Sequence, residues 1–405
     1  MKRIILFTAS YPYGKKEVYL EPEIKYLSDN FEKIIIYPFY YNNKDIKSRS
    51  VPNNVIVNKP LIPLLRIHQI KLFIVNFFFI FYLFNWIIDF FLKRVILNKK
   101  KFNIWIVSLF HTLIAINSNK VKSLNEIEDA IFYFYWGTGW AHVLPFIKKN
   151  KSNLYITRFH GGDIILAETH PYLPIRRKVI NSSDILMPIS NLAKSYIIDN
   201  FSVDQNKIML SRLGTNYYGK NYPLSDSIIR VISVANCEIE KRIDLIIDAL
   251  ALIDNKRVEW IHIGSGSLIN QLLNYANVKI KSPMVTFKFL GQLNNINIMN
   301  LYKDNHIDAF INTSMYEGVP FSIIEAISFG IPCIATNVGA TSEVVNCENG
   351  YLLDYNFSSE ILKKLIVNLK SEYWKSKRVR SFNYWDNNFN SEVTFPILLN
   401  IMRKR

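Results

Sequence analysis

Two glutamates, Glu317 and Glu325, lie eight positions apart in the sequence, with a Gly-Val-Pro turn directly after the first. Apolar runs at residues 309–311 and 333–336 predict a strand on either side of this segment. The pattern therefore predicts strand, turn, helix, turn and strand, with Glu317 on the turn and Glu325 inside the helix. Taken alone, two glutamates at this spacing are typical of a surface turn followed by an ordinary helix, with both side chains solvated.

The start of the predicted helix offers a place for an anion. Pro320 suits the first turn of a helix, because the missing N–H would be unpaired there in any case. Backbone amides around a helix N-terminus bind anions, and here they belong to Gly318, Val319, Phe321 and Ser322. Carboxylates beside such a site accept hydrogen bonds from diols. The segment suits a ligand that carries a diphosphate, a ribose diol and a ring of hydroxyls, as a sugar nucleotide does.

A charged loop follows the strand predicted at residues 230–235. Lys241 lies late in this loop, at the mouth of the strand, where an ammonium group suits a phosphate. The alternative is a charged loop solvated at the surface. The next predicted strand ends in Gly264-Ser265-Gly266, although a lone G-x-G is weak evidence by itself.

A histidine, His160, follows another predicted strand and precedes Gly161-Gly162-Asp163. The two glycines allow the backbone to approach a ligand closely. A lone histidine is usually a structural residue, but one on a strand-to-loop turn is a better candidate for function. Arg158 and Asp163 are predicted either to orient it or to contact a second substrate.

These segments resemble the donor-binding signature of retaining, family-four-type glycosyltransferases (glycosyl transferases group 1) of the GT-B fold. The resemblance is strongest from Arg230 to Leu353 and continues through Gly330-Ile331-Pro332, residues 335–343 and residues 349–353. It implies catalytic roles for Glu317, which would hold the sugar, for His160, which would contact the transferred sugar from the N-terminal domain, and for Lys241, which would grip the diphosphate.

The resemblance also implies two sets of binding residues. The donor set is Glu325 (for the ribose diol), Gly318, Val319, Pro320, Phe321, Ser322, Gly264, Gly266, Gln292, Asn236 and Arg242. The acceptor side is Gly14, Arg158 and Asp163. Asn236 stands where the family usually has an arginine, and Arg242 is the candidate to replace it.

Strand-like runs alternate with helical patterns along the whole chain, which predicts an α/β fold with parallel sheets. We expect two doubly wound, Rossmann-like domains facing each other across a cleft: residues 1–220 on the acceptor side and residues 221–375 binding the nucleotide sugar. In the resembled fold a C-terminal helical segment packs back on the first domain, and residues 376–405 are expected to do so here.

One region, residues 72–116, departs from the α/β pattern. It holds two apolar runs separated by Lys93, Arg94 and Lys99-Lys100-Lys101. The first run is long enough to cross a bilayer, but a single crossing would put strands of one sheet on opposite sides of the membrane. We therefore expect a helical insertion that contacts an anionic membrane surface, with burial against the sheet as the alternative.

The composition limits the function classes. The 405 residues carry a formal charge of +16 and are 49% hydrophobic, and the three cysteines show no metal or disulfide spacing. This suits a reducing cytoplasm, and Met1-Lys2-Arg3 leads into a short apolar strand without the features of a secretory leader. No nucleic-acid-binding signature is found. No Asp-X-Asp occurs, so neither a metal nor another cofactor is expected.

The sequence therefore predicts a metal-independent, retaining hexosyltransferase. It would move a sugar from a nucleotide sugar to a lipid-diphosphate-linked glycan acceptor in bacterial surface polysaccharide synthesis (capsule, O-antigen or exopolysaccharide), at the inner face of the cell membrane. The alternatives are a catalytically degenerate GT-B scaffold at the membrane and a GT-B nucleotide-sugar epimerase. A dinucleotide oxidoreductase is less favoured, because no G-x-G-x-x-G follows the first strand.

Overall fold

The computed structural model describes residues 3–14, 17–41, 49–63, 84–165, 171–222, 224 and 226–404. The chain divides into two compact units. The first unit comprises Met1–Arg212 and Phe395–Arg405, and the second comprises Leu213–Thr394. The first unit thus ends slightly before the predicted boundary at residue 220.

The first unit is built on a six-stranded parallel sheet. Its strands are β1 (Arg3–Thr8), β2 (Lys33–Pro38), β3 (Val55–Val57), β4 (Ala130–Phe134), β5 (Leu154–Phe159) and β6 (Ile185–Pro188). They are arranged in the order β3-β2-β1-β4-β5-β6. The strand order reverses between β1 and β4, and in such sheets ligands bind beyond the carboxyl ends of the strands at that point.

The central strands are apolar runs because they are buried on both faces. Every residue of β4 and β5 is buried, and so is every residue of β1 after Arg3. The helices around the first sheet are α1 (Leu20–Asn30), α2 (Phe84–Leu92), α3 (Lys99–Ile116), α4 (Asn119–Leu124), α5 (Arg176–Ser182) and α6 (Asn191–Asn200). A short parallel pair, Tyr40–Tyr41 with Ile62–Pro63, lies apart from the main sheet.

The predicted helical insertion is observed from residue 84 onward, as α2 and α3 with the 3-10 turn Val95–Leu97 between them. Asn98 caps α3 by accepting a hydrogen bond from the amide of Lys101. Residues 64–83, which include most of the first apolar run, lie outside the described part of the chain. No helix within the described ranges is long and apolar enough to cross a bilayer.

The second unit contains another six-stranded parallel sheet. Its strands are β7 (Ile229–Val234), β8 (Val258–Ile263), β9 (Val285–Phe289), β10 (Ala309–Asn312), β11 (Cys333–Thr336) and β12 (Gly350–Leu353). The order β9-β8-β7-β10-β11-β12 reverses between β7 and β10. The predicted α/β architecture with two doubly wound sheets is confirmed.

The helices of the second unit are α7 (Ile243–Ala251), α8 (Ile269–Lys279), α9 (Asn295–Asp304), α10 (Phe321–Ser328), α11 (Ser359–Val367) and α12 (Glu372–Asn388). Trp385 of α12 is fully buried in the core of this unit, where its indole N–H donates to Thr215. The last helix, α13 (Ser391–Arg403), extends into the first unit, and Leu398 and Met402 pack in the core beside β1. Residues 376–394 thus belong to the second unit, and only the chain from Phe395 onward belongs to the first.

Candidate active site

The second sheet brings two of the predicted functional loops together. The loop after β7 carries Lys241, and the loop after β10 carries Glu317. Because β7 and β10 are hydrogen-bonded neighbours at the point where the strand order reverses, their carboxyl ends form the crevice in which α/β sheets bind ligands. The sequence places the two residues 76 positions apart, and the strand order makes them neighbours.

Lys241 and Glu317 form an ion pair in this crevice. The ammonium Nζ lies 2.7 Å from Glu317 Oε1, and the Asn312 amide donates to the same oxygen at 3.3 Å. The side chains are 21% and 13% exposed, so both remain accessible to a ligand. Gly339 packs against the backbone of Glu317 so closely that a Cβ there would come within 1.7 Å of the Glu317 carbonyl oxygen. This contact fixes the turn that carries Glu317.

Helix α10 begins at Phe321. Pro320 therefore precedes the helix instead of lying in its first turn. The carbonyl of Pro320 accepts hydrogen bonds from the amides of Ile323 and Ile324, which starts the helical pattern. The turn Gly318–Pro320 still leads into the positive end of the helix dipole, where an anion is stabilised.

Glu325 lies inside α10 and is buried, with 6% of its surface exposed. Its carboxylate accepts a hydrogen bond from the Asn295 amide at the start of α9. Burial raises the pKa of the Glu325 carboxyl to about 7, and the Asn295 hydrogen bond opposes this rise. A carboxyl group with little solvent and one amide partner has the capacity to accept further hydrogen bonds from a ligand.

The glycine turns of the second unit bring two loops into close contact. A Cβ on Gly264 would lie 1.8 Å from the Ala235 carbonyl oxygen, and one on Gly266 would lie 2.5 Å from that of Cys237. Gly264 also has a φ of +153°, in a region that glycine adopts readily. These glycines therefore allow the loop after β8 to pack against the loop after β7.

Two other donor-binding candidates border these loops. Asn236 is exposed, and its carbonyl accepts a hydrogen bond from the Glu238 amide. Gln292 is exposed beside Gly291, and its side-chain carbonyl accepts from the Ser265 hydroxyl at 3.2 Å. Both side chains therefore lie on loops at the carboxyl edge of the sheet.

Arg242, the candidate to replace the arginine that the resembled family has at Asn236, already contacts protein groups. Its guanidinium donates to the carbonyl of Thr313 at 2.7 Å and to that of Tyr355 at 2.8 Å, and it stacks on the Tyr355 ring. Weaker contacts at 3.4 Å to Ser314 and Thr336 use the remaining nitrogen. The guanidinium therefore ties loops together, and a diphosphate would have to displace these carbonyls to reach it.

In the first unit, His160 lies at the carboxyl end of β5. Its ring packs 4.2 Å from the Trp136 ring and 4.9 Å from the Tyr135 ring, measured between centroids. Neither ring nitrogen has a hydrogen-bond partner within the described chain. Burial lowers the pKa of the imidazole, and Asp163 partly opposes this. His160 is therefore a neutral ring with unused hydrogen-bonding capacity.

Asp163 supports the loop that carries His160. One carboxylate oxygen accepts from the His160 amide at 2.7 Å, and the other accepts from the Gly137 amide at 2.9 Å. The predicted alternative in which Asp163 orients the histidine loop fits this geometry better than an acceptor contact.

Arg158 is buried, and both terminal nitrogens of its guanidinium have protein partners, which argues against its predicted acceptor contact. The guanidinium lies 2.5 Å from Glu23 and 2.8 Å from the Tyr133 hydroxyl, and it also donates to backbone carbonyls of residues 211 and 212. Only 1% of the side chain is exposed. A buried ion pair of this kind fixes α1 against the sheet. Gly14, the remaining acceptor-side candidate, lies half-buried in the loop after β1 with a φ of +71°.

Two further residues, Glu17 and Trp136, lie on loops near His160, and Glu17 is a residue whose sequence position allows either an acceptor contact or an acidic helix start. The carboxylate of Glu17 accepts hydrogen bonds from the backbone amides of residues 9, 10 and 11, and from the indole N–H of Trp136 at 2.7 Å. Glu17 therefore fastens the loop after β1 to the loop after β4. Trp136 directly follows the buried run 130–135, so its position at a strand end was the available signal.

No group of three or more His, Cys, Asp or Glu side chains is arranged to hold a metal ion in the part of the chain that the structure describes. The three cysteines are unpaired; Cys237 and Cys333 are buried, and Cys347 is exposed.

Comparison with known proteins identifies a family model that matches the part of the chain forming this crevice. Residues 220–384 match the family model of glycosyl transferases group 1. The UDP-Gal:alpha-D-GlcNAc-diphosphoundecaprenol alpha-1,3-galactosyltransferase of Escherichia coli is 31% identical over 134 residues, which are 31% of this chain and 33% of that protein. The putative colanic acid biosynthesis glycosyltransferase WcaL of Escherichia coli K12 is 23% identical over 223 residues, 52% of this chain and 53% of that protein. The chain thus spans a third to about half of these relatives.

Among solved structures, the lipopolysaccharide outer core galactosyltransferase WaaB in its apo form superposes with a TM-score of 0.67, covering 99% of both chains at 14% identity. At this identity the likeness concerns the fold. The matched model includes the loop of Lys241, the Glu317 turn and α10, so it covers the crevice described above. Residues 220–384 are therefore a glycosyl transferases group 1 domain, carried by a chain with the GT-B fold.

Proposed function

We propose that this protein is a glycosyltransferase of bacterial surface polysaccharide synthesis that uses a nucleotide-sugar donor. The observation that carries the proposal is the crevice between β7 and β10, where Lys241 and Glu317 pair beside the start of α10. The names of the relatives support it, since both are transferases and one acts on a UDP-sugar.

Lys241 and the start of α10 would hold the donor diphosphate. In the structure the ammonium group of Lys241 is paired with Glu317. An incoming diphosphate would offer the lysine more negative charge than one carboxylate does, so the ion pair would open as the donor binds. The positive charges would then stabilise the diphosphate as it leaves, without reorganisation during the reaction. No metal is needed in this scheme.

Glu317, released from the lysine, would accept hydrogen bonds from the sugar hydroxyls. The negative charge of Glu317 would stabilise the positive charge that develops on the sugar ring as the diphosphate departs. We propose that the acceptor attacks the face from which the diphosphate leaves, so that the anomeric configuration is retained. His160 is neutral, its Nδ1 lies 3.8 Å from the Asp163 carboxylate, and its ring has no hydrogen-bond partner within the described residues, so it would donate a hydrogen bond to a sugar hydroxyl.

Glu325 would hold the ribose diol. Its carboxylate has one amide partner, Asn295, and lies in the same helix whose start would hold the phosphates. Two hydroxyl donors stabilise the ionised form, so nucleotide binding would lower the pKa of this group from about 7.

The acceptor would be a glycan linked to a lipid diphosphate. The galactosyltransferase relative acts on a diphosphoundecaprenol-linked sugar by its name, and this chain has a surface suited to lipid. We call this the apolar-basic surface: Phe91 and Leu97 are 70% and 76% exposed, and Phe84, Ile88, Leu92, Ile96 and Phe102 are exposed with them. The basic residues Lys93, Arg94, Lys99 and Lys100 are exposed among them. Apolar and basic groups together suit peripheral contact with anionic lipid at the inner face of the cell membrane.

The proposal is tested by a donor screen followed by a transfer assay. Thermal unfolding would be measured with UDP-, GDP-, dTDP- and CMP-sugars, since a ligand that binds only the folded state raises its stability. The stabilising donor would then be incubated with a synthetic lipid-diphosphate-linked monosaccharide. Formation of a disaccharide product is the expected result. A donor that binds without any transfer would favour the degenerate scaffold, and interconversion of the donor sugar without an acceptor would favour the epimerase.

A further inference from the structure

Arg242 lies between the Lys241 loop and helix α7, in a backbone conformation that favours glycine. Its φ of +47° and ψ of +46° are left-handed. A side chain disfavours this region, because its Cβ comes too close to a carbonyl oxygen. Arg242 directly follows the 3-10 turn Ile239–Lys241 and directly precedes the first residue of α7. An arginine at a position that suits glycine indicates that its side chain has a role.

The guanidinium of Arg242 joins the carboxyl ends of three further strands to the loop after β7. Nε donates to the Thr313 carbonyl after β10 at 2.7 Å, and Nη1 donates to the Tyr355 carbonyl after β12 at 2.8 Å. Nη2 makes longer contacts of 3.4 Å to the Ser314 carbonyl and to the Thr336 hydroxyl at the end of β11. One planar group therefore connects the loop after β7 with groups that follow or end β10, β11 and β12.

Other contacts repeat the connection between the loops after β7 and β10. The Thr313 hydroxyl lies 3.0 Å from the Lys241 carbonyl oxygen and 2.9 Å from the Arg242 carbonyl oxygen. The Met315 amide donates to the Glu240 carbonyl at 2.7 Å. The two loops are therefore joined by main-chain groups as well as by the guanidinium.

These two loops carry the ion pair of the crevice. Lys241 is adjacent to Arg242 in the sequence, and Glu317 lies three residues beyond Ser314. Lysine and glutamate side chains have several rotatable bonds, so the position of each charged group when a ligand separates the pair depends on the loop that carries it. A misplacement of about 1 Å at a reacting group can lower a rate about a hundredfold. A group that fixes both loops therefore fixes the geometry of the site.

The same contacts argue against a direct role of Arg242 as a phosphate ligand. A guanidinium has five N–H donors on three nitrogens, and all three nitrogens already have acceptors in the protein. Thr313 and Ser314 are each 1% exposed. Water would not replace the hydrogen bonds that their carbonyls lose if a diphosphate took the donors, and such a loss is unfavourable.

We propose that Arg242 is a positioning residue, whose guanidinium holds Lys241 and Glu317 at the spacing that the donor needs without contacting the donor itself. The inference rests on the proposed function, because Lys241 and Glu317 act on a nucleotide sugar only there.

The test measures the affinity of the whole protein for UDP, GDP and dTDP by titration calorimetry, and the Tm of each variant by thermal unfolding. Arg242→Gly and Arg242→Ala both remove the guanidinium, but only glycine suits the left-handed backbone. Arg257→Gly is the control for charge, since Arg257 is an exposed arginine of the same unit before β8. Arg94→Gly, at an exposed arginine with a φ of +48° in the first unit, reports what the backbone change alone does to Tm.

Both Arg242 variants should lower the affinity for the diphosphate that binds by the same factor, about tenfold, as Lys241→Ala should. Arg242→Ala should nevertheless unfold a few degrees below Arg242→Gly, because alanine disfavours the left-handed backbone. Equal affinity at unequal Tm would show that the loss follows the guanidinium and not the stability of the fold. Arg257→Gly should leave the affinity unchanged.

A double variant shows whether Arg242 acts through Lys241. In the Lys241→Ala background, Arg242→Gly should change the affinity by less than about twofold, because no ammonium group is left to position. Effects of the two substitutions that multiply would overturn the inference, since an arginine that contacts the diphosphate itself would behave in this way. Unchanged affinity in both Arg242 variants, or an affinity that follows Tm, would overturn it as well.

The same measurements separate this inference from the proposed function. A parent protein that binds none of the three diphosphates would refute the donor site of the proposed function, and with it the inference that rests on that site. A parent that binds a diphosphate but transfers no sugar would refute the proposed function alone.

Discussion

Replacing Glu325 by glutamine should make the unliganded protein more stable at neutral and alkaline pH. The buried carboxyl has a pKa of about 7 instead of its ordinary value of 4.5, mainly because burial disfavours the charged form. The native state therefore holds this proton more tightly than the unfolded state. The protonated Glu325 carboxyl therefore contributes to the free energy of unfolding, and this contribution is fully present below pH 4.5 and is lost as the pH rises through 7. At about 1.4 kcal/mol per pH unit, the loss above pH 8 is about 3 kcal/mol.

Glutamine keeps the shape and the Asn295 contact but has no charge to desolvate. Glu325→Gln should therefore recover about 2–3 kcal/mol above pH 8, or about 5–10 °C in Tm for a domain of this size, and little at pH 5. The assay is thermal unfolding between pH 5 and pH 8.5. Glu348→Gln, at an exposed glutamate of the same unit, is the control and should leave the curve unchanged. If Tm depends on pH in the same way for Glu325→Gln and for the parent, burial does not disfavour the charged form of the Glu325 carboxyl, and the reasoning is wrong.

The same substitution should weaken nucleotide binding. A hydrogen bond to a charged group contributes about 1.5–3 kcal/mol, so the affinity for the stabilising nucleoside diphosphate should fall about tenfold to a hundredfold. In the parent protein, this affinity should decrease as the pH falls below 7, because binding requires the ionised carboxylate. A stabilised variant with undiminished affinity would remove Glu325 from the ribose site.

Four further outcomes are expected. Lys241→Ala should lower the affinity for the bare nucleoside diphosphate about tenfold. The free energy of unfolding should change by less than about 1 kcal/mol, because the ion pair is partly exposed. Unchanged affinity would contradict the phosphate role of Lys241. Transfer should continue in EDTA, and a strict requirement for added Mg²⁺ or Mn²⁺ would refute the metal-free scheme. The double variant Phe91→Ser and Leu97→Ser should reduce binding to anionic vesicles about tenfold in a flotation assay, whereas Tyr373→Ser, at an exposed site of the second unit, should not. Burial lowers the pKa of His142 to about 3, so stability should be lost as the pH falls below about 6.5, and His142→Gln should flatten that acid limb of the unfolding curve.

The sheets were predictable from the sequence because their strands are apolar runs bounded by turn residues. Strand β11 has the predicted bounds, and β7 and β10 differ by one residue from the predicted ranges 230–235 and 309–311. Strand β3 was not predicted, because three residues between polar segments give no periodic signal, and the motif at residues 350–353 was noted without being assigned to a strand. The prediction for residues 72–83 lies outside the described chain, so it stays a prediction.

The candidate site was predictable where the evidence is local. Residues close together in the sequence determine each of three elements, and each was therefore predictable: the Glu317 turn, the helix after it and the Lys241 loop. The roles of Arg158 and Arg242 were not, because a sequence does not show which partners a guanidinium finds. Glu23 is 135 positions from Arg158, and Tyr355 is 113 positions from Arg242. Only the folded chain shows that both arginines are already occupied.

The central claim is that the crevice of Lys241 and Glu317 transfers a sugar. The most direct measurement is single-turnover transfer from the stabilising nucleotide sugar to a lipid-diphosphate-linked monosaccharide, by the parent protein and by Glu317→Gln. The account predicts that Glu317→Gln binds the donor within about threefold of the parent and transfers at least about a hundredfold more slowly, because the charge is needed mainly in the transition state. Transfer by Glu317→Gln at the parent rate would contradict the account.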